Sequence, residues 1–328
     1  QHLLLFKTCF CLFLMFLCKK FQPIRMDSII MLFLCLILGF GLQYVKTFPK
    51  NAHLTLNQFV IYVSLPALAL YYIPKIQLSA QLLYPLGIAW LGFIFSFVFF
   101  YLIGRKLNWS NKLIGCLTLT AGLGNTSFVG FPVIQALYGE EGLKTAIIVD
   151  QPGSFVVMAT LGVITATIYS KGKAEVKTIA SKILFFPPFM GFVVACMLNI
   201  FKFDFISDLQ TVFQKLGSTV TPIALLSVGL QLKIDKNSQH WQFLRFGLFF
   251  KLILTPAIFF VLYRLVLNGR GLMVDVSIME AAMAPMITGT ILSASYGLKP
   301  KLSNMMVGVG IPLSFITLAF WYFILNNF

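Results

Sequence analysis

A chain of 328 residues that is 59% hydrophobic and only 11% charged cannot cover a water-facing surface, for which soluble domains use about 25% charge. Its formal net charge of +15 would point a soluble protein toward nucleic acid. Here, however, the Lys and Arg residues sit in short loops between apolar runs, where membrane topology accounts for them and no nucleic-acid partner is expected. The apolar runs are helix-length, roughly 17 to 25 residues, rather than the ten-residue alternating stretches of an outer-membrane barrel. The expected class is an all-α integral membrane protein.

In chain order, residues 1–25 form an apolar stretch followed by Lys19, Lys20 and Arg25, without a Met at the start. They read as an upstream extension ahead of a protein that starts at Met26, because an added span or an inner basic tail would turn the later loops against the charge rule. From there, ten spans are expected at roughly 28–45, 56–73, 82–104, 113–137, 144–170, 182–201, 210–231, 246–267, 272–297 and 303–326. A first unit of five covers 26–170, a short cytoplasmic linker 171–181, and a second unit of five 182–328. One set of alternate loops collects fifteen Lys and Arg, the other only six together with most of the acids, which places both termini outside. Lys251, near the inner end of the eighth span, reads as a side chain that snorkels to the interface. The six cysteines lie in apolar stretches without metal-ligand spacing and read as small core residues; the three histidines form no cluster. No metal, no cofactor and no enzymatic nucleophile is expected.

The two halves match at a nearly constant offset. Pro66 pairs with Pro222 and Arg105 with Arg264; Ala136 to Gly139 pairs with Ala294 to Gly297, and Pro152 to Phe155 with Pro312 to Phe315, all separated by about 156 to 160 positions. An odd number of spans per unit sets the second copy upside down, so the expected architecture is an inverted five-helix repeat. The fourth and ninth spans then become partners entering from opposite faces. Both are interrupted: Gly122-Leu123-Gly124-Asn125-Thr126-Ser127 with Pro132 in one, Ala284-Pro285-Met286-Ile287-Thr288-Gly289-Thr290 in the other.

Broken helices at corresponding points of two repeats mark a transporter's substrate site. The restarted half-helices present backbone N–H groups and a partial positive charge, which favours an anion. Because neither span contains Lys or Arg, the anion is expected to be held by dipoles and neutral side chains: Asn125, Thr126, Ser127, Thr288 and Thr290, framed by Pro132 and Pro285. Asn125 is the first choice for direct contact, with donation to carbonyls freed by the break as its alternative. Asp150 and Glu280 are ionisable groups inside spans, candidates for carrying a proton or coordinating Na+. Their alternatives are pairing with Gln151 near Pro152 for Asp150, and a position close to the aqueous end of the span for Glu280.

The chain resembles the auxin efflux carrier family at Ser64-Leu65-Pro66-Ala67, at Gly124 to Pro132 with Ala136 to Leu143, at Pro222 to Gly229 and at Glu280 to Pro285. The resemblance covers 26–328. It implies ten helices in two inverted repeats, a scaffold of spans 1, 2, 6 and 7, and a moving unit of spans 3 to 5 and 8 to 10 with broken crossover helices 4 and 9. It also implies organic-anion substrates moved by an elevator-like displacement, and maps the family's crossover Asn and Pro onto Asn125, Pro132 and Pro285. Since only about eleven residues join the halves, the resemblance is to compact bacterial members such as malonate and malate permeases, in an inner membrane. The expected function is a permease or efflux carrier of a small carboxylate, with membrane lipid as its surroundings and homodimerisation left open. The alternatives are a sodium-coupled symporter of the bile-acid type and a membrane anion sensor.

Overall fold

The computed structural model describes residues 26–77, 79–170, 185–232 and 239–327, so the upstream extension and the whole linker lie outside the described residues. Helix α1 is Met26–Leu42, α2 Ala52–Lys75, α3 Ala80–Lys106 and α4 Asn111–Ala121. A break follows, then α5 (residues 126–138) and α6 (140–170), separated by Gly139. Helix α7 is Pro187–Ile200, α8 covers 207–231 with a hinge at Thr219, and α9 is Trp241–Val266. After α10, Leu272–Ala281, comes a second break; α11, Ile287–Ser295, and α12, Pro300–Asn327, complete the chain. Among the described residues, five helical runs are long and apolar enough to cross a membrane uninterrupted, and no strand is present.

Proline shapes these helices. It removes an N–H and pushes away the carbonyl one turn back, and the backbone responds with π turns: Val60–Ser64 just ahead of Pro66, Thr126–Gly130 ahead of Pro132, Val149–Phe155 around Pro152, and Phe250–Leu254 ahead of Pro256. Such turns re-aim side chains and gather at functional positions. Turns repeat along the chain as well. Gly139 and Gly297 both take φ 66°, a left-handed conformation that glycine adopts without strain, and Asn108 and Asn268 follow α3 and α9 at φ 53° and 49°.

The helices associate in two sets. In one, α1 packs along the second half of α8, and α2 lies against α7 and the first half of α8. Small residues make these crossings close, as lipid-embedded helices require when apolar burial gives no drive. A methyl group on Gly229 would stand 2.5 Å from the Leu36 carbonyl oxygen and 2.9 Å from the Cα of Gly39, and one on Gly191 would stand 2.9 Å from the Cα of Pro66. Polar side chains reinforce the crossings: Gln43 donates to the carbonyl of Gly229 at 2.8 Å, and Asn199 donates to those of Ile73 and Ile76, both at 2.8 Å. In the other set, α3 packs on the π turn around Pro152 and on α10, while α4 packs on the end of α6 and on α11. A hydrogen bond from Thr221 of α8 to Gln135 of α5, 2.8 Å, spans the seam between the sets.

Overpacking a close crossing costs about 1–3 kcal/mol. Gly229→Val is expected to lower the thermal unfolding midpoint of the purified protein, whereas Gly41→Ala, on the facing helix α1 with open space around it, is expected to leave it unchanged.

Candidate functional site

The two breaks meet. Leaving α4, the chain runs extended through Leu123 to Asn125, and leaving α10 it runs through Ala284 to Met286. The two short segments lie antiparallel, with Gly124 opposite Pro285. The Asn125 N–H donates to the Ala284 carbonyl at 2.7 Å, and the Met286 N–H donates to the Leu123 carbonyl at 3.2 Å. Each interrupted span thereby supplies partners that the other lost, in a place where neither water nor lipid supplies them. The Gly310 backbone of α12 lies against the Pro285 ring, where a methyl would be only 2.7 Å from Cδ.

Two helices restart at this junction, the Thr126–Gly130 turn that opens α5, and α11. Asn125 caps the first. Its Oδ1 accepts from the Phe128 N–H at 3.1 Å, while its Nδ2 is buried and has no partner. The amide is therefore half used for the local backbone and half open, a donor facing inward with nothing to donate to. An unpartnered buried donor is costly unless a ligand or water completes it.

Behind the junction lies a cluster of charge. Thr126 donates to Asp150 Oδ1 at 2.6 Å, and Ser127 reaches the same carboxyl. Asp150 thus bonds across to α5 and not to its neighbour Gln151, whose amide is buried with both polar atoms unpartnered. Glu280 is 0% exposed, not near an aqueous end of its span, and neither carboxyl oxygen has a hydrogen bond. Its carboxyl lies on Gly130, where a methyl would stand 2.5 Å from Oε2. Both Asp150 and Lys251 act electrostatically on it.

Lys251 corrects the sequence reading. It does not snorkel: it is 2% exposed, and its Nζ donates to the Ala281 carbonyl at 2.8 Å. The π turn Phe250–Leu254 carries it inward. The Lys251 amine therefore stands beside the two interrupted spans, although neither contains a basic residue. Gln151 likewise belongs to the site and was legible only as the neighbour of Asp150.

The remaining expected residues divide. Asn125, Thr126, Ser127, Pro132 and Pro285 are buried around the junction, with Pro132 just after the π turn that opens α5. Thr290 is buried but spends its hydroxyl on the Ser303 carbonyl of α12 at 3.1 Å. Thr288 is exposed on the outer side of α11, away from the others. Removing a hydrogen-bond donor from a buried carboxyl costs about 1–3 kcal/mol, so Thr126→Val is expected to destabilise the protein measurably in thermal unfolding, with Thr288→Val unchanged beside it.

The family model described as membrane transport protein matches residues 24–322. An uncharacterized transporter of Methanocaldococcus jannaschii is 29% identical over 318 residues, covering 93% of this chain and all of the relative. An uncharacterized transporter of Methanothermobacter thermautotrophicus is 26% identical over 304 residues, covering 91% of this chain and 98% of the relative. Both are archaeal. With its paired breaks and a family match over nearly its whole length, this chain belongs to the membrane transport protein family, that of the auxin efflux carriers.

Proposed function

We propose that the protein is a secondary carrier of a small organic anion, whose carboxylate docks where the two breaks meet. The observation that carries this is the buried, unpartnered Nδ2 of Asn125 at the point where α5 restarts. A carboxylate oxygen there accepts from the amide and stands at the positive ends of two half-helices. Binding of this kind is directional yet weak enough for release, because no Arg fork grips the anion.

The division of the helices into two sets supports an elevator-like movement, in which α3 to α6 and α9 to α12 carry the junction past α1, α2, α7 and α8. The matched left-handed turns at Gly139 and Gly297, and at Asn108 and Asn268, support reading the chain as ten spans in two inverted repeats. A cavity lies at the seam between the two sets, lined by Tyr71, Tyr72, Gln135, Glu140, Gln214 and Thr221. The excess of Lys and Arg on one set of loops supports a topology with both termini outside, in a cytoplasmic membrane.

A second reading, a sodium-coupled symporter, is favoured by the open carboxyl of Glu280 beside Asp150, since buried carboxylates with free oxygens are the ligands that hard cations use.

The test is uptake of radiolabelled mono- and dicarboxylates into proteoliposomes. At least one of them is expected to be carried, and absence of flux across a broad panel contradicts the proposal. Asn125→Asp keeps the acceptor for Phe128 and exchanges the open donor for a second carboxyl oxygen, which repels a carboxylate. A hydrogen bond to a charged group is worth about 1.5–3 kcal/mol, so the variant is expected to lose tenfold or more of the flux while inserting and folding normally.

A further inference from the structure

Lys251 has a place in the structure that the proposed anion site does not use. An ammonium inside a span is expensive, and such groups persist only with compensation at hand. Here the compensation comes from the ninth-span break. The Ala281 carbonyl, which accepts from Nζ at 2.8 Å, is the end of α10, where the helix stops and its last carbonyls lose their own donors. Glu280, one residue earlier, is the carboxyl within electrostatic reach of Lys251, and Asp150 in α6 acts in turn on Glu280. On the other side stands Gly124: a methyl there would come within 3.3 Å of Nζ and 3.0 Å of the Glu280 carbonyl, so the lack of a side chain leaves room for the ammonium at the seam of the two extended segments.

A compact positive charge at the carbonyl end of a half-helix, beside an intramembrane carboxylate and at the meeting of two broken spans, is the environment in which ion-coupled carriers hold Na+. Lys fits the place as a point charge with rotatable donors on a flexible stem. We propose that the Lys251 ammonium is a tethered cation standing where a coupling metal ion would bind, and that it closes the junction without Na+. Its stem is anchored in α9, so this charge cannot dissociate during a cycle. The consequence for transport rests on the carrier reading above: any ion coupling then has to come from elsewhere than a metal at this place.

Stability tests the inference without any substrate, and so separately from the carrier reading. Thermal unfolding of the purified protein is compared in NaCl and in choline chloride at equal concentration, for the wild type, Lys251→Met, Glu280→Gln and the double variant. The wild-type midpoint is expected to be the same in both salts. Lys251→Met is expected to lose several degrees, with part of the loss returned by Na+ or by methylammonium, and the double variant to stand well above Lys251→Met in choline, because it leaves no buried charge alone. Saturable stabilisation of the wild type by Na+, a Lys251→Met protein as stable as wild type, or a double variant no better than Lys251→Met each overturns the proposal. Should Lys251→Met fail to fold, the wild type and the double variant still decide. Flux of carboxylates in Na+-free vesicles belongs to the carrier reading, and its absence leaves the stability result standing.

Discussion

A helix that stops inside a membrane frees backbone donors and acceptors that lipid cannot satisfy. In this protein α4 and α10 both stop, and the two breaks answer each other: Asn125 N–H to Ala284 C=O, and Met286 N–H to Leu123 C=O. Much else follows from that exchange. Gly124 and Pro285 must lie opposite each other, so the first can carry no side chain that intrudes on the seam and the second no donor that needs a partner there. The helices that restart must aim their first turns at the junction, and α12 must present Gly310 where the Pro285 ring presses on it. A pair of loops would not hold such geometry in lipid; two interrupted helices packed on each other do.

The same constraint concentrates charge. Once backbone carbonyls at the end of α10 are open, a cation is stabilised there, and Lys251 reaches in to Ala281. Once a cation is there, a carboxylate can be buried nearby, and Glu280 lies on the bare backbone of Gly130. Asp150 is held differently, by the hydroxyl of Thr126 in the turn that opens α5. The junction thus has a negative side, made of Glu280 and Asp150, and a donor side, made of the Asn125 amide and the N-termini of two half-helices. The proposed anion site is on the second.

Much of this was legible in the sequence, because interruption of a helix is written in local chemistry. Gly122, Gly124, Pro132 and Pro285 announce the breaks; Asn125 was expected to donate to a ligand or to carbonyls freed by the break, and its capping of Phe128 through Oδ1 came only with the structure. Lys251 was not legible in the same way. It lies near the inner end of its span, where a Lys ordinarily reaches for water, and only the π turn ahead of Pro256 and the packing against α10 turn it inward. Thr288 and Thr290 show the limit of residue type as a guide: two residues apart on a helix they point roughly 200° from each other, and the restart at Ile287 sends the first outward and the second to Ser303. Gln151 was expected only as a partner of Asp150; a buried amide without partners is visible only once the surroundings are built.

The central claim is that the open amide of Asn125, at the meeting of the two breaks, receives a carboxylate. Ligand-dependent thermal stabilisation of the purified protein tests it most directly, since a ligand that binds the folded state raises the midpoint in proportion to the logarithm of its concentration over Kd. The account predicts that at least one small carboxylate stabilises the wild type with this logarithmic dependence, that the corresponding neutral amide does not, and that Asn125→Asp abolishes the shift. Stabilisation by no carboxylate, or stabilisation that survives Asn125→Asp undiminished, contradicts it.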